Sequence, residues 1–206
     1  MKLKKSFFEH DVVTEVARNL IGKKLCTNIN QEYCAGIIVE TEAYSHLEKA
    51  CHAFMSRRTQ RTDTLFMDGG TNYVYLCYGI HKLFNIVTNK EGTAEAVLIR
   101  AVEPVEGVEV MMKRRGTSKF DANLTSGPGK LTQAMGIDLT HNKTDLDSDE
   151  IWIEPGDKVT NDMIETSPRI GVSYALEDAL LPWRYTLKNN KWVSKGNNKY
   201  DFKLNS

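Results

Sequence analysis

The stretch Thr71-Asn-Tyr-Val-Tyr-Leu-Cys-Tyr-Gly-Ile-His-Lys-Leu-Phe-Asn-Ile-Val-Thr-Asn89 constrains this chain more than any other. It is rich in aromatic and β-branched residues and breaks only near Tyr78-Gly79. It therefore reads as a β-hairpin, with strands over 73–77 and 83–88. Cross-strand aromatic packing accounts for Tyr73 and Tyr75. It does not account for Tyr78-Gly79-Ile80, because a large aromatic and an aliphatic at a turn tip face water. An exposed apolar wedge fits a partner, and one physical use is insertion between stacked bases.

Residues 23–29 and 33–43 read as two further strands, separated by the turn residues Asn28-Ile-Asn-Gln31. The second runs into Val39-Glu-Thr-Glu-Ala-Tyr44, and alternation puts Glu40, Glu42 and Tyr44 on one face. Two glutamates so placed ordinarily mark a solvated outer face. Ala94–Val102 reads as a buried strand interrupted by Arg100. A buried guanidinium must be paired, either structurally or with one of the two glutamates.

The remaining segments are less strongly patterned. Apolar spacing predicts a helix over 9–20. Pro104 is expected to open a helix through about Arg115, and Ser126 to cap a short one. Residues 45–70 form a long polar loop, a length typical of functional segments, with Phe66-Met67 as an anchor. Ile151–Ile153 and Arg169–Val172 are short strand candidates, and 190–206 reads as a partly flexible tail of a single 1–206 domain.

With 27 basic and 27 acidic residues the chain is neutral, which argues against a broadly electrostatic nucleic-acid binder but not against a local basic face. Cations do cluster, at Arg57, Arg58 and Arg61 and at Lys113, Arg114, Arg115 and Lys119. No apolar run reaches the ~18 residues of a membrane helix. The first residues lack a signal core, so the cytoplasm is the expected location and no membrane is involved. The four cysteines form no CxxC pair and fit reduced thiols. His46, Cys51 and His52 match no closed set of zinc ligands, and Asp145-x-Asp-x-Asp149 lacks the glycine and glutamate of a calcium loop. There is no GxGxxG, P-loop or Gly-x-Ser-x-Gly elbow. Neither a metal nor a cofactor is expected.

In order and spacing, GIIVETEAY (36–44), His52, RRTQR (57–61), FMDGGTNYVYLCYGIHKLFNIV (66–87), AVLIRAVEP (96–104), SGPGKL (126–131) and RIGV (169–172) resemble the alkyladenine (3-methyladenine) DNA glycosylase family. The match spans about residues 8–193. The resemblance implies a single α+β domain: a curved, open, barrel-like antiparallel sheet with surrounding helices and a protruding β-hairpin. It implies an enzyme that flips damaged purines out of double-stranded DNA and hydrolyses the N-glycosidic bond; a lyase would need a positioned amine nucleophile and none is indicated, so monofunctional action is expected, and a monomer. Glu42 aligns with the general base that activates water, and Arg100 with its neighbour beside the DNA backbone. Tyr44, His52 and Tyr75 align with the base pocket, and Asn85 with the residue that discriminates against the amino group of guanine. Tyr78 aligns with the intercalating side chain and Ile80 with a neighbouring wedge position, while Arg57, Arg61 and Lys130 fall to the DNA backbone. Two other readings fit parts of the chain. One is a carbohydrate hydrolase using Glu40 and Glu42; the other is a non-catalytic module that binds bent or gapped DNA.

Overall fold

A computed structural model describes residues 1–196. Its centre is an antiparallel sheet of eight strands: β1 (Lys24–Ile29), β2 (Glu32–Ser45), β3 (Asn72–Cys77), β4 (His81–Val87), β5 (Glu95–Glu106), β6 (Ile151–Glu154), β7 (Ile164–Ser167) and β8 (Arg184–Leu187). The main path runs β3-β4-β5-β2-β1-β6, and β7 joins through β8, which pairs with β2. Among the described residues the sheet does not close. With α1 (Val13–Leu20), α2 (Val108–Arg115) and α3 (Pro128–Met135), it forms the expected single-domain α+β architecture.

β2 organises the rest. Its first half pairs with β1 as far as Ile37, and β8 takes over the same edge from Glu40 to Glu42. On the other edge, the register with β5 slips at Ile38/Glu40 and again at Glu40/Thr41. Such bulges bend a strand and re-aim its side chains. The bend falls on the glutamate pair. On the opposite face, Thr41 Oγ1 donates to the carbonyl of Ala17 at 2.8 Å, and Val39 and Ala43 enter the core against α1. Of the expected stripe Val12, Val13, Val16, Ala17 and Leu20, α1 buries the last four; Val12 is exposed ahead of it, and the helix starts four residues later than the spacing predicts. Before it, His10 Nδ1 accepts the Val12 N–H in a local turn.

Several boundary expectations are corrected. Pro104 does not open a helix; it lies inside β5 opposite Gly36, at a register slip where a missing N–H costs the ladder nothing. α2 begins after Gly107, whose φ is 69° and where a Cβ would sit 2.2 Å from the Tyr33 carbonyl oxygen. α3 is capped not by Ser126 but by Gly127, with Pro128 at its first position, while Ser126 bridges to Ala101 of β5. Arg169–Val172 turns instead of forming a strand, and β7 and β8 flank it. Within the expected tail, Trp192 is only 1% exposed and Ser194 is hydrogen-bonded to Glu40. Residues 197–206 of that tail lie outside the described residues. Among the described residues no helix is long and apolar enough to cross a membrane.

Candidate active site

A cleft of about 1220 Å³ lies between the β3–β4 hairpin, the loop after β2, the start of α3 and residues 191–195. Of the eleven expected site residues, Tyr44, His52, Arg61, Tyr75, Tyr78, Asn85, Arg100 and Lys130 line it. Glu42 lies beneath its wall and Ile80 is exposed beside Tyr78 at the hairpin tip. Arg57 is exposed on the loop but outside the cleft lining.

Both glutamates are 0% exposed, so the solvated-face reading fails. Arg100 lies between them, with Nε 2.8 Å from Glu40 Oε1 and Nη1 3.2 Å from Glu42 Oε2. Burial alone would lower the Arg100 pKa, but the two carboxylates outweigh it and keep the guanidinium charged. Glu40 is enclosed. Its Oε1 also accepts from Arg184 Nε and Ser194 Oγ, and its Oε2 from the Ser194 N–H. Burial would raise its pKa, yet Arg100 and Arg184 bring it below the usual value. Glu42 accepts from the Ile170 N–H at 2.7 Å on Oε1, and from the Tyr44 hydroxyl at 2.8 Å on Oε2. Burial and the Glu42 charge hold the Tyr44 phenol protonated, well above its usual pKa. A carboxylate offers about four lone-pair sites. With three donors bound, Glu42 keeps capacity for one more.

The upper wall is aromatic. Tyr73 and Tyr75 stack at 5.3 Å, and the His52 ring meets Tyr75 edge-on at 4.7 Å. His52 Nδ1 is 3.0 Å from the Tyr73 hydroxyl. Burial, with help from the nearby Arg61 charge, lowers the His52 pKa to about 4, so this imidazole is neutral at pH 7. Burial likewise pushes Tyr73 up to about 12. The Arg61 guanidinium lies 5.4 Å from the Tyr75 ring centre. Asn85 pairs across the hairpin with Tyr73 and donates Nδ2 to its carbonyl at 3.2 Å, which turns the amide toward the cleft.

At the hairpin tip Tyr78 has φ 50° and Gly79 φ 73°, with the Ile80 N–H bonded to the Cys77 carbonyl. Two successive positive φ values define the type I′ turn that matches strand twist. Gly79 suits its place; a tyrosine at φ > 0 is an outlier. Tyr78 is 87% exposed and Ile80 73%. The chain thus holds a bulky aromatic in a disfavoured conformation and presents it to solvent. Such strain collects at functional positions.

The two basic clusters differ. Arg61 faces the cleft, whereas Arg114 is bound by the Ile29 and Ala134 carbonyls and by Glu32. Lys113 also pairs with Glu32, and Arg115 donates to the Leu124 carbonyl. Lys113, Arg114 and Arg115 therefore brace α2 against its neighbours, while Lys119 is exposed beyond it. Lys130 of α3 reaches Asn123 at the cleft edge.

Other residues of the site escaped the sequence reading. Glu48 is buried in the polar loop and bonded through both oxygens to Arg169, at 2.8 Å each. Arg184 and Ser194 complete the shell of Glu40. Arg169 stood within the quoted RIGV segment, but nothing local marks Glu48 or Ser194 as its equals in importance.

Residues 6–191 match the profile of the methylpurine-DNA glycosylase family. The chain is 44% identical over 203 residues to a protein of Alkaliphilus oremlandii, covering 95% of this chain and 100% of that one. It is 48% identical over 182 residues to one of Prosthecochloris aestuarii, covering 87% and 85%. It is 42% identical over 205 residues to one of Clostridium perfringens, covering 95% and 100%. All three relatives are named, provisionally, as 3-methyladenine DNA glycosylases.

Proposed function

The chain belongs to the methylpurine-DNA glycosylase family and is a DNA glycosylase of base excision repair; from that premise we propose that it flips a damaged purine into the cleft and displaces it with a water activated by Glu42. The observation that carries this reading is the juxtaposition of Tyr44, Glu42 and Arg100 under a cleft whose mouth bears Tyr78.

The duplex hides the glycosidic bond, so the nucleotide must leave the stack at a cost of a few kcal/mol. A poorly paired, damaged base costs less. Tyr78, with Ile80 beside it, enters the duplex and fills the gap. Arg57, Arg61 and Lys130 take the flanking phosphates. The extruded purine stacks against Tyr44 and the Tyr75–His52 wall. A purine alkylated at a ring nitrogen is cationic, and electron-rich ring faces favour it by about 0.5–2 kcal/mol. Neutral His52 adds no repelling charge. Asn85, aimed into the cleft, rejects the amino group of guanine.

As the base departs, the sugar gains oxocarbenium character. Glu42 stabilises that charge and takes the proton of a water that uses its remaining acceptor site. Arg100 pairs with Glu42 at 3.2 Å and reaches the cleft surface toward the sugar or phosphate. The nucleophile in this reading is the Glu42-activated water and not a cleft lysine such as Lys130, Lys191 or Lys195, so the product is an abasic site with an intact strand. The enzyme works as a cytoplasmic monomer on double-stranded DNA. Glu40 does not serve as the second acid of a carbohydrate hydrolase, since four donors and burial occupy its carboxylate.

The test is a glycosylase assay on duplexes carrying one 3-methyladenine, 7-methylguanine, hypoxanthine or ethenoadenine, followed by alkaline cleavage. Base release from at least one duplex, with strand breaks only after alkali, is expected. Binding to damaged DNA without release from any of the four would replace the reading with a non-catalytic binder.

A further inference from the structure

Behind Tyr44 lies a buried cation with no part in the mechanism above. The Arg169 side chain is fully buried, and its guanidinium carbon is 4.8 Å from the Tyr44 ring centre and 5.2 Å from that of Trp183. Tyr44 lines the cleft and Arg169 does not, so the phenol ring separates the guanidinium from the cleft. Four hydrogen bonds fix the fork: two to Glu48 at 2.8 Å, one to the Ala43 carbonyl at 2.9 Å and one to the Asp178 carbonyl at 3.1 Å. Its Nε is buried without a partner among the described residues. The next residue, Ile170, donates its N–H to Glu42 Oε1 at 2.7 Å. Glu48 in turn accepts the Ala50 N–H on Oε2, and its carbonyl accepts the Cys51 N–H, so it also shapes the turn leading to His52.

We propose that Arg169 is a positioning residue of the excision reaction: clamped on Glu48, it holds Tyr44 from behind and sets the backbone donor that orients Glu42. This rests on the roles assigned above to Glu42 and Tyr44. A buried ion pair is in general replaceable by apolar residues without loss of stability. A planar fork stacked between two rings and bonded to two backbone carbonyls does something apolar packing does not: it fixes a ring and a peptide group together in position. Reaction rates are steeply sensitive to such placement, whereas DNA binding through the hairpin and basic side chains is not.

The test compares Arg169→Lys and the double variant Glu48→Gln/Arg169→Gln with the unaltered protein. Active sites are counted by titration with a duplex containing an abasic analogue, and single-turnover excision is measured per active site on a hypoxanthine or 7-methylguanine duplex. Misplacement of this kind predicts a rate per active site lower by ~10–100-fold. Affinity for the abasic-analogue duplex is expected to stay within about threefold, since no DNA-facing side chain is altered. The double variant leaves no charge unpaired, so it is expected to fold even if Arg169→Lys does not, and to remain slow. A wild-type rate per active site in a folded Arg169 variant overturns the proposal, as does a parallel loss of rate and affinity. An active Glu42→Gln enzyme would instead remove the catalytic reading on which the proposal rests, so the two failures are distinguishable.

Discussion

The Tyr44 hydroxyl donates to the same oxygen of Glu42, Oε2, that receives Arg100 Nη1. An aromatic on the cleft wall and the carboxylate beneath it are thus one hydrogen-bonded unit, two residues apart on a single strand face. Three donors converge on Glu42. A glutamine there cannot accept from all of them, because its amide nitrogen is itself a donor. Glu42→Gln is expected to lower single-turnover excision by at least ~10²–10⁴-fold, the range of general-base catalysis. It is also expected to destabilise the fold by about 1–3 kcal/mol through unmet buried donors, with damaged-duplex affinity nearly unchanged. Near-normal excision by this variant would sink the assignment. Tyr44→Phe, which keeps the ring, should cost about 1 kcal/mol of stability.

Tyr78 should show stability and function moving in opposite directions. Its φ of 50° is strained for tyrosine and comfortable for asparagine or glycine. Tyr78→Asn is expected to stabilise the protein by up to about 1 kcal/mol, measured by thermal unfolding, since the left-handed conformation costs other residues roughly 1–2 kcal/mol. Affinity for a duplex with a flipped or abasic site should fall sharply. Unchanged affinity would remove the wedge role, and a lowered melting temperature would remove the strain.

Arg100 supports two buried carboxylates at once. Arg100→Met removes the shared counter-ion and leaves Glu42 without a cation and Glu40 with Arg184 alone. The expected cost is about 3–5 kcal/mol, read by denaturant unfolding, together with loss of excision. Adding Glu42→Gln to Arg100→Met should recover part of that stability without restoring activity, because it neutralises the carboxylate left without a cation while Glu40 keeps Arg184.

His52 makes stability depend on pH. Its folded pKa of about 4 lies below the unfolded value near 6.5, so below pH 6.5 the unfolded chain binds a proton that the folded protein refuses. Its contribution to stability is therefore complete above pH 6.5 and is lost as pH falls toward 4, by about 3 kcal/mol in all. His52→Gln should flatten this part of the stability profile. The imidazole should not titrate between pH 5.5 and 8 by NMR.

The order of the main elements was legible in the sequence because it is written in local pattern. Apolar and β-branched runs bounded by turn residues located β2, β3, β4 and β5, and a turn pair within the tyrosine-rich stretch located the hairpin tip. Alternation along β2 put Glu40, Glu42 and Tyr44 on one face, and the structure keeps them there, joined through Arg100 and the Tyr44 hydroxyl. Pro104 and Ser126 misled because each carries a local preference that the β5 pairing overrides. β7 and β8 are four residues each, too short for a period to emerge.

What the sequence by itself determined is a hairpin with an exposed tyrosine and a strand bearing two acids and an aromatic in register. Whether those acids faced water or core was left to the tertiary structure. Their burial depends on Arg100 arriving from β5 and on Arg184 and Ser194 arriving from the end of the chain. Ser194 lies 154 residues from Glu40, and Arg169 lies 121 from Glu48. A buried charge is tolerable only beside its partner, and partners that distant leave no pattern in any local window. The fold alone brings them together, and with them decides which of two similar glutamates is sealed and which meets the cleft wall.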